Sequence, residues 1–284
     1  MTHGTAKRSE KVEGAARSLK LVSEPASSVQ AIDRALGVLA VIAESDGLTL
    51  TELSQRAGLV PSTAHRILAS LQAHKFVFND EERGLWLIGV GAFEIGTAFL
   101  RNRRLAGIGR IVMHDLMEET GETVNLGIED SGEVVFISQV ESHGALRAFF
   151  RAGSRAPIHA SGVGKMLLAE MPEARVRDIL YRRGLAKFTE RTLVAPASLF
   201  QALAEIRRRG WAVDDEERNL GMRCVAAPIY NEFGEAIAGV SISGPTVRIT
   251  ADRVPELGPL VKRAAEEITN SIGGHTSVAA VERV

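Results

Sequence analysis

The sequence predicts an α+β protein in two parts: a small helical N-terminal part closed by one β-hairpin, then an antiparallel sheet flanked by helices. Three observations predict it. Apolar residues recur at helical spacing between residues 28 and 71. The period then shortens to that of strands at 76–87. Beyond residue 105, helical stretches alternate with β-rich runs that meet at Asp130-Ser131-Gly132 and Asn231-Glu232-Phe233-Gly234, both hairpin turns. At 284 residues the chain is long enough for two cores, and 45% hydrophobic with 24% charged residues is ordinary for a globular protein.

Residues 1–26 are polar and aperiodic and read as a tail. Residues 28–44 read as an amphipathic helix, with Val29, Ile32, Leu36, Leu39 and Ile42 in a stripe and Ser27 or Ser28 as cap. Residues 50–71 read as two short helices and a tight turn. Leu50, Leu53 and Ala57 mark the first apolar face, and Gly58 ends it in a left-handed position. Pro61 opens the second helix, where its missing N–H costs nothing. Ala64, Ile67, Leu68 and Leu71 form its back; Ser62, Thr63, His65, Arg66 and Ser70 form a polar front. Such a pair also fits a plain helical hairpin in an all-α core. The segment that follows discriminates.

Phe76-Val77-Phe78 and Leu85-Trp86-Leu87 are β-prone, and residues 79–84 between them form a turn-rich loop. Three helices followed by a hairpin make a winged helix-turn-helix, a DNA-binding arrangement whose second helix of the pair reads the major groove. Pro61, Ser62, Thr63, His65, Arg66 and Ser70 are the candidate DNA contacts, joined by Arg83 from the acidic hairpin loop. Net charge is −1, and residues 1–88 hold 10 Lys/Arg against 10 Asp/Glu. DNA affinity must therefore come from local placement of charge and from helix N-termini, not from bulk charge.

Residues 90–104 read as a linker helix closed by Arg101, Arg103 and Arg104. Residues 105–120 form a helix. Strands are expected at 123–128, 133–140, 146–151, 211–213, 224–229 and 236–243, and helices at 161–169, 173–180, 198–208 and 253–272. No run approaches the length of a membrane-spanning helix, the basic and acidic N-terminus has no apolar core of a secretory signal, and the single Cys224 allows no internal disulfide; a cytoplasmic protein is expected.

Three stretches are candidates for a ligand site. His159 to Lys165, HASGVGK, runs from a strand end through a Gly-containing turn into a helix, whose free N–H groups suit a carboxylate or phosphate. A glycine needed only for close packing explains it equally well. Ser241 and Ser243 share one strand face while Val240 and Ile242 face the core, so two hydroxyls align on a ligand or on solvent. Asp214-Asp215-Glu216-Glu217 reads as a solvated acidic loop; no His stands near enough for a metal set, and no cofactor is expected. Cys224 would need a base to act as a nucleophile, and His159 is the one candidate. An enzyme acting on a small acid through Cys224 and His159, with the N-terminal helices as an interaction module, is the rival reading.

Taken together, the winged-helix block ending in Trp86-Leu87-Ile88-Gly89, GETVNL at 121–126, HASGVGK, DDEERNLGMRC at 214–224 and SISGP at 241–245 resemble the IclR family of bacterial transcriptional regulators. The resemblance covers nearly the whole chain, and it implies a tail at 1–26, a winged helix-turn-helix at 27–89, a linker helix at 90–104, a GAF-like effector domain at 105–274 and a frayed tail at 275–284. It further implies a non-enzymatic, ligand-responsive repressor that binds a palindromic double-stranded DNA operator as a homodimer, with dimers pairing into tetramers. In the family's glyoxylate-responsive members a small carboxylate is held by residues matching Gly162, Val163, Asp214, Cys224, Ser241 and Ser243. The apolar pocket wall matches Ala145 and Ala148, smaller than in those members, which leaves room for a longer acid. Arg218 stands where the family motif usually has histidine.

Overall fold

The computed structural model describes residues 29–102, 105–144 and 151–275. They fall into two compact units that divide after Gly96. The expected tails, and Ser27 and Ser28 with them, lie outside the described residues, apart from His275.

In the first unit, helices α1 (Gln30–Ala43), α2 (Leu50–Ala57) and α3 (Pro61–Ala73) precede strands β1 (Val77–Asp80) and β2 (Leu85–Ile88). The α1 helix starts at Gln30 after Val29, whose side chain cannot cap it. A capping box starts α2: Thr49 accepts from the Glu52 N–H, and the Glu52 carboxylate accepts from the Thr49 N–H. Gly58 closes α2 with φ 64° and ψ 32°, the left-handed region that residues with a Cβ disfavour. Val38, Ile42, Leu48, Leu53, Ala64, Leu68, Val77 and Trp86 form the core. Leu48 exchanges two backbone hydrogen bonds with Trp86, so the hairpin is anchored to the α1–α2 connection by its backbone as well as by its indole.

One expectation needs correction here. The apolar stripe on α1 is not wholly a core stripe: Val38 and Ile42 are buried, but Val29, Ile32 and Leu36 are exposed. A three-helix unit this small cannot cover the full stripe. Helix α4 (Val90–Asn102) carries the chain across the division between units, and its Val90, Phe93 and Ile95 are likewise exposed.

The second unit holds helix α5 (Leu105–Thr120), strands β3 (Thr123–Asp130), β4 (Glu133–Val140) and β5 (Arg155–Pro157), and helices α6 (Gly162–Glu170), α7 (Glu173–Arg183) and α8 (Pro196–Arg209). Strands β6 (Ala212–Asp215), β7 (Met222–Tyr230) and β8 (Ala236–Pro245) and helix α9 (Val254–Ser271) complete it. The sheet has six strands in the order β5-β4-β3-β8-β7-β6, each pair antiparallel. The strand expected at 146–151 falls largely outside the described residues. On its side away from β3, β4 pairs with the three-residue β5, too short and too poor in β-branched residues to stand out in the sequence.

Both faces of the sheet are covered. Val124, Leu126, Val225, Val240 and Ile242 pack toward Leu257, Val261 and Ile268 of α9 and Met113 and Leu116 of α5. The other face packs Val134, Phe136 and Ala226 with Val163 and Met166 of α6 and Leu199 and Leu203 of α8. Strand β3 is therefore buried on both sides from Thr123 to Ile128. Gly127 and Gly239 let α6 lie close on the sheet: a Cβ on either would stand 2.9 Å from a side chain. Among the described residues no helix is long and apolar enough to cross a membrane.

Candidate effector site and nucleic-acid interface

Helix α3 presents its polar front outward. Pro61, Ser62, His65, Arg66 and Ser70 are exposed and Thr63 is half-buried, while Ala64 and Leu68 fill the core behind them. Val60 precedes the helix without a side-chain cap; Pro61 has no N–H and those of Thr63 and Ala64 donate to the Val60 carbonyl, so the Ser62 N–H is the one left for a phosphate in the first turn. Ser70 differs from its neighbours: its hydroxyl donates back to the Arg66 carbonyl at 3.2 Å. At the hairpin tip Arg83 is exposed, and its N–H donates to the Asp80 carboxylate at 3.2 Å.

In the second unit the sheet face that meets α6 is not wholly apolar. The alternation that sends Val225, Val240 and Ile242 to one core sends Cys224, Ser241 and Ser243 to the other side. Cys224 pairs with Ser243 across β7 and β8, and with Asp214 across β7 and β6. Gly162, the first residue of α6, packs on this cluster; a Cβ there would stand 2.9 Å from the Cys224 Sγ. Gly164 is required for packing, since a Cβ there would meet the Ile158 carbonyl at 2.0 Å. Ser161 caps α6 by accepting from the Gly164 N–H at 3.1 Å. The N–H groups of Gly162 and Val163 precede the helix ladder, and that of Gly162 turns to the sulfur.

The two serines are nearly inaccessible, so a solvent-facing strand is excluded for them. Ser243 Oγ accepts from Asn125 Nδ2 at 3.3 Å, and Asn125 Oδ1 accepts from Gln139 Nε2 at 2.8 Å. Ser241 Oγ touches the thiol, a weak partner, and has no conventional hydrogen bond among the described residues. Burial pushes the Cys224 thiol up to about 11; the Asp214 carboxylate pushes the same way, and the two serine hydroxyls and the Gly162 N–H oppose it. A thiol so placed stays protonated at neutral pH. His159 supplies no base: its Nε2 meets the Ala186 carbonyl at 3.0 Å and its ring lies 6.0 Å from that of Phe188.

The acidic stretch is not a solvated loop. Glu217 is buried and forms an ion pair with the equally buried Lys165 of α6. Asp214 accepts from the Glu217 N–H at 2.8 Å. Thr192 donates to the Glu217 carbonyl at 2.6 Å and Thr189 to that of Glu216 at 2.7 Å, tying the stretch to the loop before α8. Burial raises the Asp214 carboxyl to about 6, against the pull of Lys165 and of the Glu217 and Arg218 N–H groups. Asp215 accepts from Arg191 at 2.8 Å and also pairs with buried Arg223. Arg218, at the motif's histidine position, donates to the Arg155 carbonyl at 3.3 Å. A run of four acids looks solvated by composition; the lysine that changes its fate is 52 positions away.

The structure thus gathers Gly162, Val163, Asp214, Cys224, Ser241 and Ser243 around the start of α6. Ala145 and Ala148 lie outside the described residues. Sequence reasoning missed Asn125, Gln139, Lys165 and Glu217 as members of this neighbourhood. For Asn125 a signal exists: a lone amide inside the apolar run Val124-Asn125-Leu126-Gly127-Ile128 must find a buried partner.

Two family models match the chain: the IclR helix-turn-helix domain over residues 31–81, and the bacterial transcriptional regulator IclR C-terminal domain over residues 97–270. The regulator BhcR of Paracoccus denitrificans is 45% identical over 88% of this chain and 89% of its own length. The acetate operon repressor of Salmonella typhimurium is 46% identical over 87% of this chain and 91% of its own. An IclR homolog from Microbacterium hydrocarbonoxydans, solved in complex with 4-hydroxybenzoate, superposes with a TM-score of 0.77 at 25% identity, covering 85% of this chain and 98% of that one. Both curated relatives are named as regulators, not as enzymes. With a helix-turn-helix model on the first unit and the C-terminal model across most of the second, the chain belongs to the IclR family of bacterial transcriptional regulators.

Proposed function

We propose that the protein is a cytoplasmic repressor whose second unit senses a small organic acid. Residues 27–89 bind DNA and residues 105–274 bind the effector. The observation that carries the reading is the cluster at the start of α6. The Gly162 N–H, two buried hydroxyls and a neutral thiol converge there, the Val163 N–H is next along the helix start, and one hydroxyl lacks a conventional partner. Such a set of donors fits an oxyanion. Gly162 and Val163 hold the carboxylate, Ser241 and Ser243 donate to its oxygens, and Cys224 and Asp214 line the keto or aldehyde end. The family resemblance matches Ala145 and Ala148 to the apolar pocket wall, and side chains that small suit an acid longer than glyoxylate. The acid-operon name of one relative and the hydroxybenzoate bound to another support an acid as the effector class.

On the DNA side, Ser62, Thr63, His65 and Arg66 meet the major groove, Pro61 sets the helix start, and Ser70 and Arg83 contact the backbone. A homodimer, pairing further into a tetramer, reads a palindromic operator with one α3 in each half-site. The acid acts by binding one arrangement of the DNA-binding units better than another.

The test is a mobility shift on DNA upstream of the protein's own gene, over a salt series, with glyoxylate, pyruvate and longer acids. A specific shift changed by one acid is expected. A shift that no acid alters would remove the effector assignment and leave the DNA reading. Gly162→Val sharpens the test, because its side chain enters the space beside the Cys224 sulfur. It should abolish the response to acid and leave operator binding intact.

A further inference from the structure

We propose that Gln139 and Asn125 are positioning residues that set the hydrogen-bond polarity of the effector site, holding Ser243 as a donor toward the bound oxyanion. The proposal rests on the reading of this sheet face as the effector site. Gln139 and Asn125 stand directly opposite on β4 and β3. Asn125 is wholly buried, whereas Gln139 is half-buried at its end of the row. The Gln139 amide N–H₂ donates to Asn125 Oδ1 at 2.8 Å. That bond leaves Asn125 only its N–H₂ to turn inward, and it donates to Ser243 Oγ at 3.3 Å. A hydroxyl that accepts in this way keeps its own hydrogen to donate, and here it turns to the Cys224 sulfur, a weak acceptor that a ligand oxygen can replace. The hydrogen then points where the Gly162 N–H and the Ser241 hydroxyl converge, on the side of Cys224.

The consequence is that the β8 side of the row, across Cys224 from Asp214, offers hydrogens and few lone pairs. It selects a carboxylate or carbonyl oxygen over an amine or an ammonium. Gln139 governs this from one residue beyond the cluster. If residue 139 presented only acceptors, Asn125 would turn its N–H₂ outward and its oxygen toward Ser243. Ser243 would donate to that oxygen and show the ligand a lone pair.

Three variants test the relay. Gln139→Glu offers only acceptors and reverses it; Gln139→Lys offers only donors and preserves it; Gln139→Met removes the clamp without reversing it. All change a half-buried position, and thermal melting checks that each folds. Titration calorimetry with pyruvate and glyoxylate, in about 0.5 M salt to screen the added charge, should show Gln139→Glu weakened by about tenfold or more. Gln139→Lys should stay within about threefold of wild type, with Gln139→Met between the two. Independently of any ligand, the Asn125 side-chain amide protons should show NMR contacts to Ser243 in the wild type and to residue 139 in Gln139→Glu. Wild-type amide protons lying against Gln139 would overturn the proposal. So would a Gln139→Glu protein that binds acids like wild type, or a Gln139→Lys protein equally weakened. If no acid binds the wild type, the effector reading fails, and the NMR contacts alone decide the relay.

Discussion

Ser62, His65 and Arg66 of α3 stand in solvent on a helix whose back is packed, whereas Asn125, Ser241 and Ser243 of the sheet are sealed between β-strands and α6. The exposed set costs the fold little, since water satisfies it until DNA replaces the water. The sealed set has no such reserve: each group needs a protein partner or a ligand, and an unpaired one is expensive. Changes on α3 should therefore alter binding and spare stability. Changes around α6 should alter both, and the contrast can be broken by measurement.

The largest effect is expected at Lys165. Lys165→Met leaves the Glu217 carboxylate buried without its cation and should cost about 3–5 kcal/mol of stability in denaturant unfolding. Replacing both partners with apolar residues should restore most of that loss. A single variant as stable as wild type would mean that Glu217 reaches solvent and that the sealed description is wrong.

Next is the pH dependence around Asp214. Its carboxyl is ordinary in the unfolded chain and raised to about 6 in the fold, so the folded state binds the proton more tightly. The stability this contributes is complete below about pH 4 and is lost as pH rises through about 6. Asp214→Asn keeps an acceptor for the Glu217 N–H and cannot ionise. It should match wild type near pH 4 and exceed it by about 2–3 kcal/mol above pH 7. The groups facing Asp214 are Lys165, Glu217 and Cys224, so equal stability at both pH values would show that Lys165 keeps Asp214 charged throughout.

On the exposed side, Arg66→Ala should leave the melting temperature within a degree or two and weaken operator binding by about 1–3 kcal/mol. If Arg66 meets a phosphate, the salt slope of binding should fall by about one. Ser70→Ala should be the smallest change, about a few tenths of a kcal/mol in operator binding, because its hydroxyl is already turned to the Arg66 carbonyl. A large loss there would mean that this hydroxyl leaves the Arg66 carbonyl and carries the backbone contact by itself.

The same contrast explains what could be read in advance. The α3 front was legible because helical spacing alone decides which residues face out, as Ala64 and Leu68 behind it demonstrate. Gly58 and Pro61 gave the turn its punctuation, since both are constrained by backbone sterics within a few residues. Ser241 and Ser243 could be placed on a common face by strand alternation, but not as buried, because burial of that face depends on α6, more than 70 positions earlier in the chain.

By itself the sequence determined the two-part α+β order, the helix-turn-helix with its hairpin, and the residue types around the start of α6. Periodicity, caps and turns are local, and they act over one or two helical turns or strand pairs. Tertiary structure alone decided that Lys165 neutralises Glu217, that Asp214 sits where its carboxyl is raised to about 6, and that Gln139, Asn125 and Ser243 form one chain of hydrogen bonds. It also decided that Val29, Ile32 and Leu36 stay outside the core their spacing suggested. Those outcomes depend on which distant surfaces meet and exclude water, because desolvation and pairing are properties of a packed neighbourhood and no spacing rule along the chain encodes them.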